Sequence, residues 1–144
     1  GMRCASLPSA RIRRGSPATD NLQRHAVYLW LDDCRPAPDG WVGVTTVVDA
    51  KLSLETGRVD RASLDHDLGA CETCMDGMDV NQWLEAHNFR TMPHCKHVGT
   101  GYDLCVWMAD TGHWPTEMPT VHSANRVGGK RMKAIIDKYF PRQR

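Results

Sequence analysis

No apolar stretch in this chain approaches the roughly 18 residues that a membrane-spanning helix needs. The longest convincing run is Ala26 to Leu31, so no membrane association is expected. Residues 2–24 hold Arg, Ser and Pro but no apolar segment of the kind that directs secretion, and a basic, poorly ordered tail is expected over 1–24. Internal repeats and low-complexity tracts are also lacking. Six Cys without a secretion signal predict a cytoplasmic setting, where Cys-x-x-Cys binds metal or does redox work more often than it forms a structural disulfide. Charge of one sign is missing overall, since the net charge is +1, but not locally. Residues 1–24 carry five Arg against one Asp, residues 25–125 six basic against fifteen acidic groups, and residues 126–144 seven basic against one acidic. This pattern excludes a uniformly basic nucleic-acid coat and leaves a concentration of central carboxylates to explain.

At 144 residues the chain is long enough for one domain with a real core. His25 to Leu31 reads as a buried parallel strand that stops at Asp32-Asp33. A Pro/Gly loop over 35–40 precedes a second strand at Trp41 to Thr45. Thr46 with Asp49 predicts a helix start, with Val47, Val48, Leu52 and Leu54 as its apolar side and Gly57 near its end. Val59 to Leu64 is a third strand, running into Asp65-His66-Asp67. After an irregular stretch over 69–99 with a short helix following Asp79, Thr100-Gly101-Tyr102-Asp103 opens a helix that ends near Gly112. Pro119 to Ser123 is a brief strand, and Gly128-Gly129 leads into a last helix with Met132, Ile135, Ile136 and Tyr139 at helical spacing. Strands alternating with helices predict an α/β layer fold with a mainly parallel sheet and one insertion.

Polar clusters close three of these strands: Asp32-Asp33, Asp65-His66-Asp67 and His122-Ser123-Ala124-Asn125. Ligands bind outside the carboxyl ends of strands in open parallel sheets, so the clusters are expected to converge on one crevice. A single Asp at a strand end usually caps a turn, but carboxylates gathered from successive ends repel one another unless a cation sits among them. An all-oxygen donor set suits Mg²⁺, which pairs with substrate phosphate. Ser123, Asn125 and Arg126, before a helix N-terminus, are candidate phosphate ligands. His66 and His122 are candidate acid–base groups, with Asp65 or Asp67 available to orient one of them.

Within the insertion, Cys71-x-x-Cys74 is followed by Cys95-x-His97, the order of ligands in a four-coordinate structural Zn²⁺ site. His94 competes as the fourth ligand. His97 is preferred because a one-residue spacer makes a natural turn, whereas His94 and Cys95 are adjacent and tend to point apart. Zinc would supply the folding energy that a segment poor in large apolar residues lacks. Cys105 reads as core filling. Trp30, Trp83 and Trp107 read as packing, while Trp41 and Trp114 flank loops near the strand ends, where a nucleobase could stack.

Taken in order, LDDCRPAPDGW, SLDHDLG, GTGYDL and VHSANRVG resemble the cyclic-phosphate-processing receiver-like family, a divergent branch of the receiver domains of two-component signalling, over about Tyr28 to Ile136. The resemblance implies a reduced, flavodoxin-like doubly wound sheet of about four parallel strands, spanning 25–144 with a zinc-knuckle insertion at 69–99. It also implies Mg²⁺ held by Asp32, Asp33 and Asp65, with Asp67 as a backbone ligand, Asp65 at the phosphoacceptor position and Ser123 as the phosphate-contacting hydroxyl. The Lys that receivers place after a fifth strand has no counterpart; Arg126 or Lys130 are candidates to replace it. The expected function is metal-dependent processing of 2′,3′-cyclic phosphate ends of RNA or nucleotides, with Asp65, His66 and His122 as the reacting groups and a phosphorylated nucleotide or RNA end as partner. The alternatives are a non-enzymatic phosphate-sensing module and a zinc-stapled nucleic-acid adaptor.

Overall fold

The structure, a computed structural model, describes residues 26–89 and 93–142; the basic segment 1–24 lies outside the described residues. Four strands, β1 (Val27–Leu31), β2 (Trp41–Val44), β3 (Val59–Leu64) and β4 (Thr120–Val121), form one parallel sheet in the order β2-β1-β3-β4. The four described helices are α1 (Val47–Glu55), α2 (Val80–Ala86), α3 (Gly101–Thr111) and α4 (Arg126–Tyr139). This is the receiver-like α/β fold expected from the sequence.

Local chemistry sets most helix ends. Thr46 caps α1 by accepting from the Asp49 amide, Asp79 and Gln82 form a reciprocal capping box on α2, and Thr100 and Asp103 do the same on α3. Gly112 ends α3 in the left-handed conformation, at φ 77°. The last helix differs from expectation. Asn125 caps it, so Gly128 and Gly129 lie inside its first turns rather than ahead of it.

Side chains alternate along each strand. Leu29, Leu31, Ala62 and Leu64 join Ala50 and Leu54 of α1, Leu104 and Met108 of α3, and Met132 and Ile136 of α4 in a single core. Val48 and Leu52, read as part of the apolar side of α1, are exposed, and Ala50 takes the buried position instead. Tyr139 is likewise 48% exposed at the end of the α4 stripe. The opposite sheet face carries Tyr28, Trp30, Arg61 and Ser63, with Arg61 over the Tyr28 ring and paired to Glu117 at 2.6 Å. Among the described residues no helix is long and apolar enough to cross a membrane.

Candidate active site and metal centres

Sheet hydrogen bonding continues one residue past each strand and fixes the polar clusters side by side. Asp32 N donates to Val44 O at 3.0 Å, Asp65 N to Leu31 O at 2.9 Å, and His122 N to Leu64 O at 3.0 Å. The three residues therefore leave the carboxyl edge of the sheet as neighbours. Oxygens of Asp32, Asp33 and Asp65 lie within 4.8 Å of one another, and Asp32 and Asp65 are only 4% and 6% exposed.

These carboxylates are unequally compensated. Burial raises the pKa of Asp32, but the His122 imidazole and the Arg35 and Cys34 amides outweigh it and hold the group below its ordinary value. Both amides donate to Asp32 Oδ1 at 2.8 Å, and Arg35 Nε stands 3.6 Å from Oδ2. Asp65 is pushed up by burial and by Asp32, against the His66 amide, the Ser123 hydroxyl and His122. Asp33 is pushed up to about 6, chiefly by burial, with Asp65, Asp32 and Asp67 adding to it against its own backbone amide. Buried carboxylates that retain unbalanced negative charge are what a divalent cation would relieve, and the all-oxygen donor set fits Mg²⁺.

The two histidines are held differently. His122 uses both ring nitrogens: Nδ1 lies 2.7 Å from Ser63 Oγ and Nε2 3.0 Å from Asp32 Oδ2. One proton assignment satisfies both contacts, with the Ser63 hydroxyl donating to Nδ1 and Nε2–H donating to Asp32. Its ring also stacks on Trp30 at 3.8 Å between centroids, 6° from parallel. His66 is held through Nδ1 alone, 2.7 Å from Asp67 Oδ1. Asn125 donates its amide to the same carboxylate at 3.2 Å while its Oδ1 caps α4 through Gly128 N at 2.9 Å. A Cβ at Gly128 would come within 2.5 Å of the His66 ring, which explains a glycine inside a helix. Gly101 is similar, because a Cβ there would collide with the Asp65 carbonyl.

Other expected residues are less central. The Asp67 carboxylate lies outside the three-carboxylate group, committed to His66 and Asn125. Ser123 accepts from Asn125 N at 3.0 Å and hydrogen-bonds Asp65, so its hydroxyl stands beside the carboxylates. Arg126 is exposed on the first turn of α4, and Lys130 is also exposed. Among the described residues the cation that touches the acidic group is instead Arg35, which also donates to His122 O at 3.1 Å. Sequence reasoning missed Ser63 because its partner His122 lies 59 residues away, and missed the tie from Arg35 to His122 because it spans 87 residues; the contact of Arg35 with Asp32, three residues back, was within reach of the sequence. The alternation of β3 does place Ser63 off the core face, and that was the available signal.

Cys71, Cys74, Cys95 and His97 form a second cluster with ligand atoms within 4.8 Å of one another. His97 Nδ1 is 3.6 Å from Cys71 Sγ and 3.3 Å from Cys74 Sγ, close to the ~3.5 Å edge of a tetrahedron with ordinary Zn–S and Zn–N bonds. Burial raises the Cys95 thiol, but the amides of Cys71, Val98 and His97 and the Cys71 thiol overcome this and bring it down to about 6. A Cys₃His set of this shape could bind a metal such as zinc. His97, not His94, completes it; His94 lines a cavity of about 730 Å³ with His66, Lys96 and Arg131. Trp114 packs edge-on against Phe140 at 5.4 Å, two residues before Thr116, whose amide bonds Val59 at the amino end of β3, whereas Trp41 lines a cavity beside Asp32 and Asp33.

A parallel receiver-like sheet with a carboxylate pocket at its carboxyl edge and a Cys/His cluster after the third strand defines a divergent receiver class. The family model for the Cyclic-phosphate processing Receiver domain matches residues 27–98, half of the chain, and the chain belongs to that family. The matched segment takes in the acidic motifs and the Cys/His insertion; GTGYDL and VHSANRVG lie beyond it. No curated protein and no solved structure gives a significant match. Membership supports a role in cyclic-phosphate processing.

Proposed function

We propose that this domain hydrolyses 2′,3′-cyclic phosphates on RNA ends or nucleotides, with Mg²⁺ held by Asp32, Asp33 and Asp65. The observation that carries this reading is the cluster of Asp32, Asp33 and Asp65 at one sheet edge, with Asp33 and Asp65 undercompensated, next to His66, whose amide donates to Asp65 and whose ring is tethered through Nδ1. Bound there, Mg²⁺ would neutralise the carboxylates and stabilise charge developing on the phosphoryl oxygens. The Ser123 hydroxyl, which stands beside Asp65, and the exposed Arg126 on the first turn of α4 would bind phosphate oxygens.

Water adds to phosphorus as one ribose P–O bond breaks, so a proton leaves the water and one returns to the ribose oxygen. His66 is the group for this exchange: Asp67 fixes Nδ1–H, which leaves the Nε2 lone pair as the base. His122 is a positioning residue, since both its nitrogens are already engaged by Ser63 and Asp32. Zn²⁺ at Cys71, Cys74, Cys95 and His97 has a structural part.

Steady-state turnover of a 2′,3′-cyclic nucleotide in Mg²⁺ tests these roles. His66→Asn is expected to lower kcat by roughly 10²–10⁴-fold and to flatten the pH profile while leaving Mg²⁺ affinity unchanged. His122→Asn is expected chiefly to weaken Mg²⁺ binding, with activity returning at high Mg²⁺. Wild-type rates that are insensitive to EDTA, or a His66→Asn enzyme with normal kcat, would rule the mechanism out.

A further inference from the structure

Beside the carboxylates, and separate from the phosphate-binding turn, lies a cavity of about 400 Å³ whose walls include Trp30, Trp41, Pro36 and Pro38, with Asp32 and Asp33 among its lining residues. That volume, with mostly apolar and aromatic walls and a few polar groups, is typical of a small-molecule site. Its cause is topological. No helix connects β1 to β2; residues 32–40 cross as a loop. The loop is pinned in place, because Trp30 Nε1 donates to Arg35 O at 3.0 Å and Trp41 N donates to Pro38 O at 3.0 Å. Trp41 is braced from the sheet side, tilted against Tyr28 at 5.2 Å and edge-on to Trp30 at 6.1 Å. The aromatic wall is thus preformed, and little ordering is required when a ligand enters.

We infer that this cavity is a nucleobase subsite, in which the base of a cyclic nucleotide lies against Trp41 and the prolines while its phosphate reaches the Asp32–Asp33–Asp65 group. The inference rests on the cyclic-phosphate reading and deepens it by making the substrate a base-bearing nucleotide rather than any cyclic phosphodiester. Three features point to a base. The cavity shares Asp32 and Asp33 with the carboxylate group, so with Mg²⁺ held by that group a ligand filling both is bipartite, flat and apolar at one end and anionic at the other. Bases stack on tryptophan with little regard to sequence. Asp39, on the loop that lines the cavity, offers an acceptor to an exocyclic amino group.

Equilibrium binding in Mg²⁺, with the His66→Asn chain to prevent turnover, tests the inference on three probes: 2′,3′-cyclic AMP, the base-free methyl riboside 2′,3′-cyclic phosphate, and adenosine. The nucleotide is expected to bind about 10-fold or more tightly than the base-free compound and to change tryptophan fluorescence. Adding Trp41→Ala should erase that advantage, and adding Trp41→Tyr should keep most of it. If the Trp41→Ala chain does not fold, the comparison of probes on the chain that retains Trp41 and on the Trp41→Tyr variant still decides. Equal binding of the two cyclic phosphates, unchanged by substitution at Trp41, overturns the base subsite and leaves the cyclic-phosphate reading standing. Adenosine binding as tightly as cyclic AMP overturns the bipartite site and the cyclic-phosphate reading, and failure of all three probes overturns both as well.

Discussion

Asp33 carries the least compensated charge in the carboxylate group. Its partners Asp65, Asp32 and Asp67 are all acids, and its pKa stands at about 6 against an ordinary 3.8. With the native value above the unfolded one, the folded protein binds more protons between about pH 4 and pH 6, and metal-free stability falls as pH rises through that window. After allowance for the solvent that still reaches the group, the loss is about 1–2 kcal/mol. In EDTA, Asp33→Asn is therefore expected to be more stable than wild type by that amount at pH 7, and by much less at pH 4. Urea unfolding at the two pH values measures it; equal gains at both would mean that Asp33 is not electrostatically strained. Added Mg²⁺ should stabilise the wild type more than the variant. Asp32 behaves in the opposite way, since His122 and two amides hold its pKa down.

At the scale of elements, the Cys/His segment is the part that burial alone supports least. Helix α2 buries no residue, and among the described residues the segment from Cys71 to His97 contributes Met75, Pro93 and Cys95 to the interior. Zinc is expected at one equivalent per chain, and its removal should increase amide exchange over Cys71–Val98 while β1 and β3 stay protected. Hydrogen exchange with and without a strong chelator reads this directly, and unchanged exchange over that segment would exclude a metal-stapled knuckle. What was legible in the sequence follows the same division between local and distant causes. The caps at Thr46, Asp79 and Thr100 and the stop at Gly112 depend on residues within one turn, and all are found where the sequence places them. Gly128 looked like a helix boundary because its real reason, the His66 ring, is more than sixty residues away in sequence. The spacing of α1 marked Val48 and Leu52 as apolar but could not say which side the sheet would cover.

For the whole molecule, the uneven charge along the chain gains a spatial meaning. Three of the central acids meet at the carboxyl edge of the sheet. The strand-end motifs named most of this site from sequence alone, because a parallel sheet brings successive strand ends together whatever lies between them. Arg35, Ser63 and the division of labour between His66 and His122 emerged only from tertiary contacts. In the same way, replacement of the first connecting helix by a loop was legible, but the cavity it leaves beside the carboxylates was not. In the proposed function this pocket opens a cyclic phosphate rather than storing a phosphoryl group on Asp65. Phosphorus NMR of a 2′,3′-cyclic nucleotide incubated with the full chain distinguishes the two. In Mg²⁺ the cyclic resonance should give way to that of a phosphomonoester, and EDTA or Asp65→Asn should prevent the change; a cyclic resonance that persists with folded wild-type protein in Mg²⁺ would contradict it.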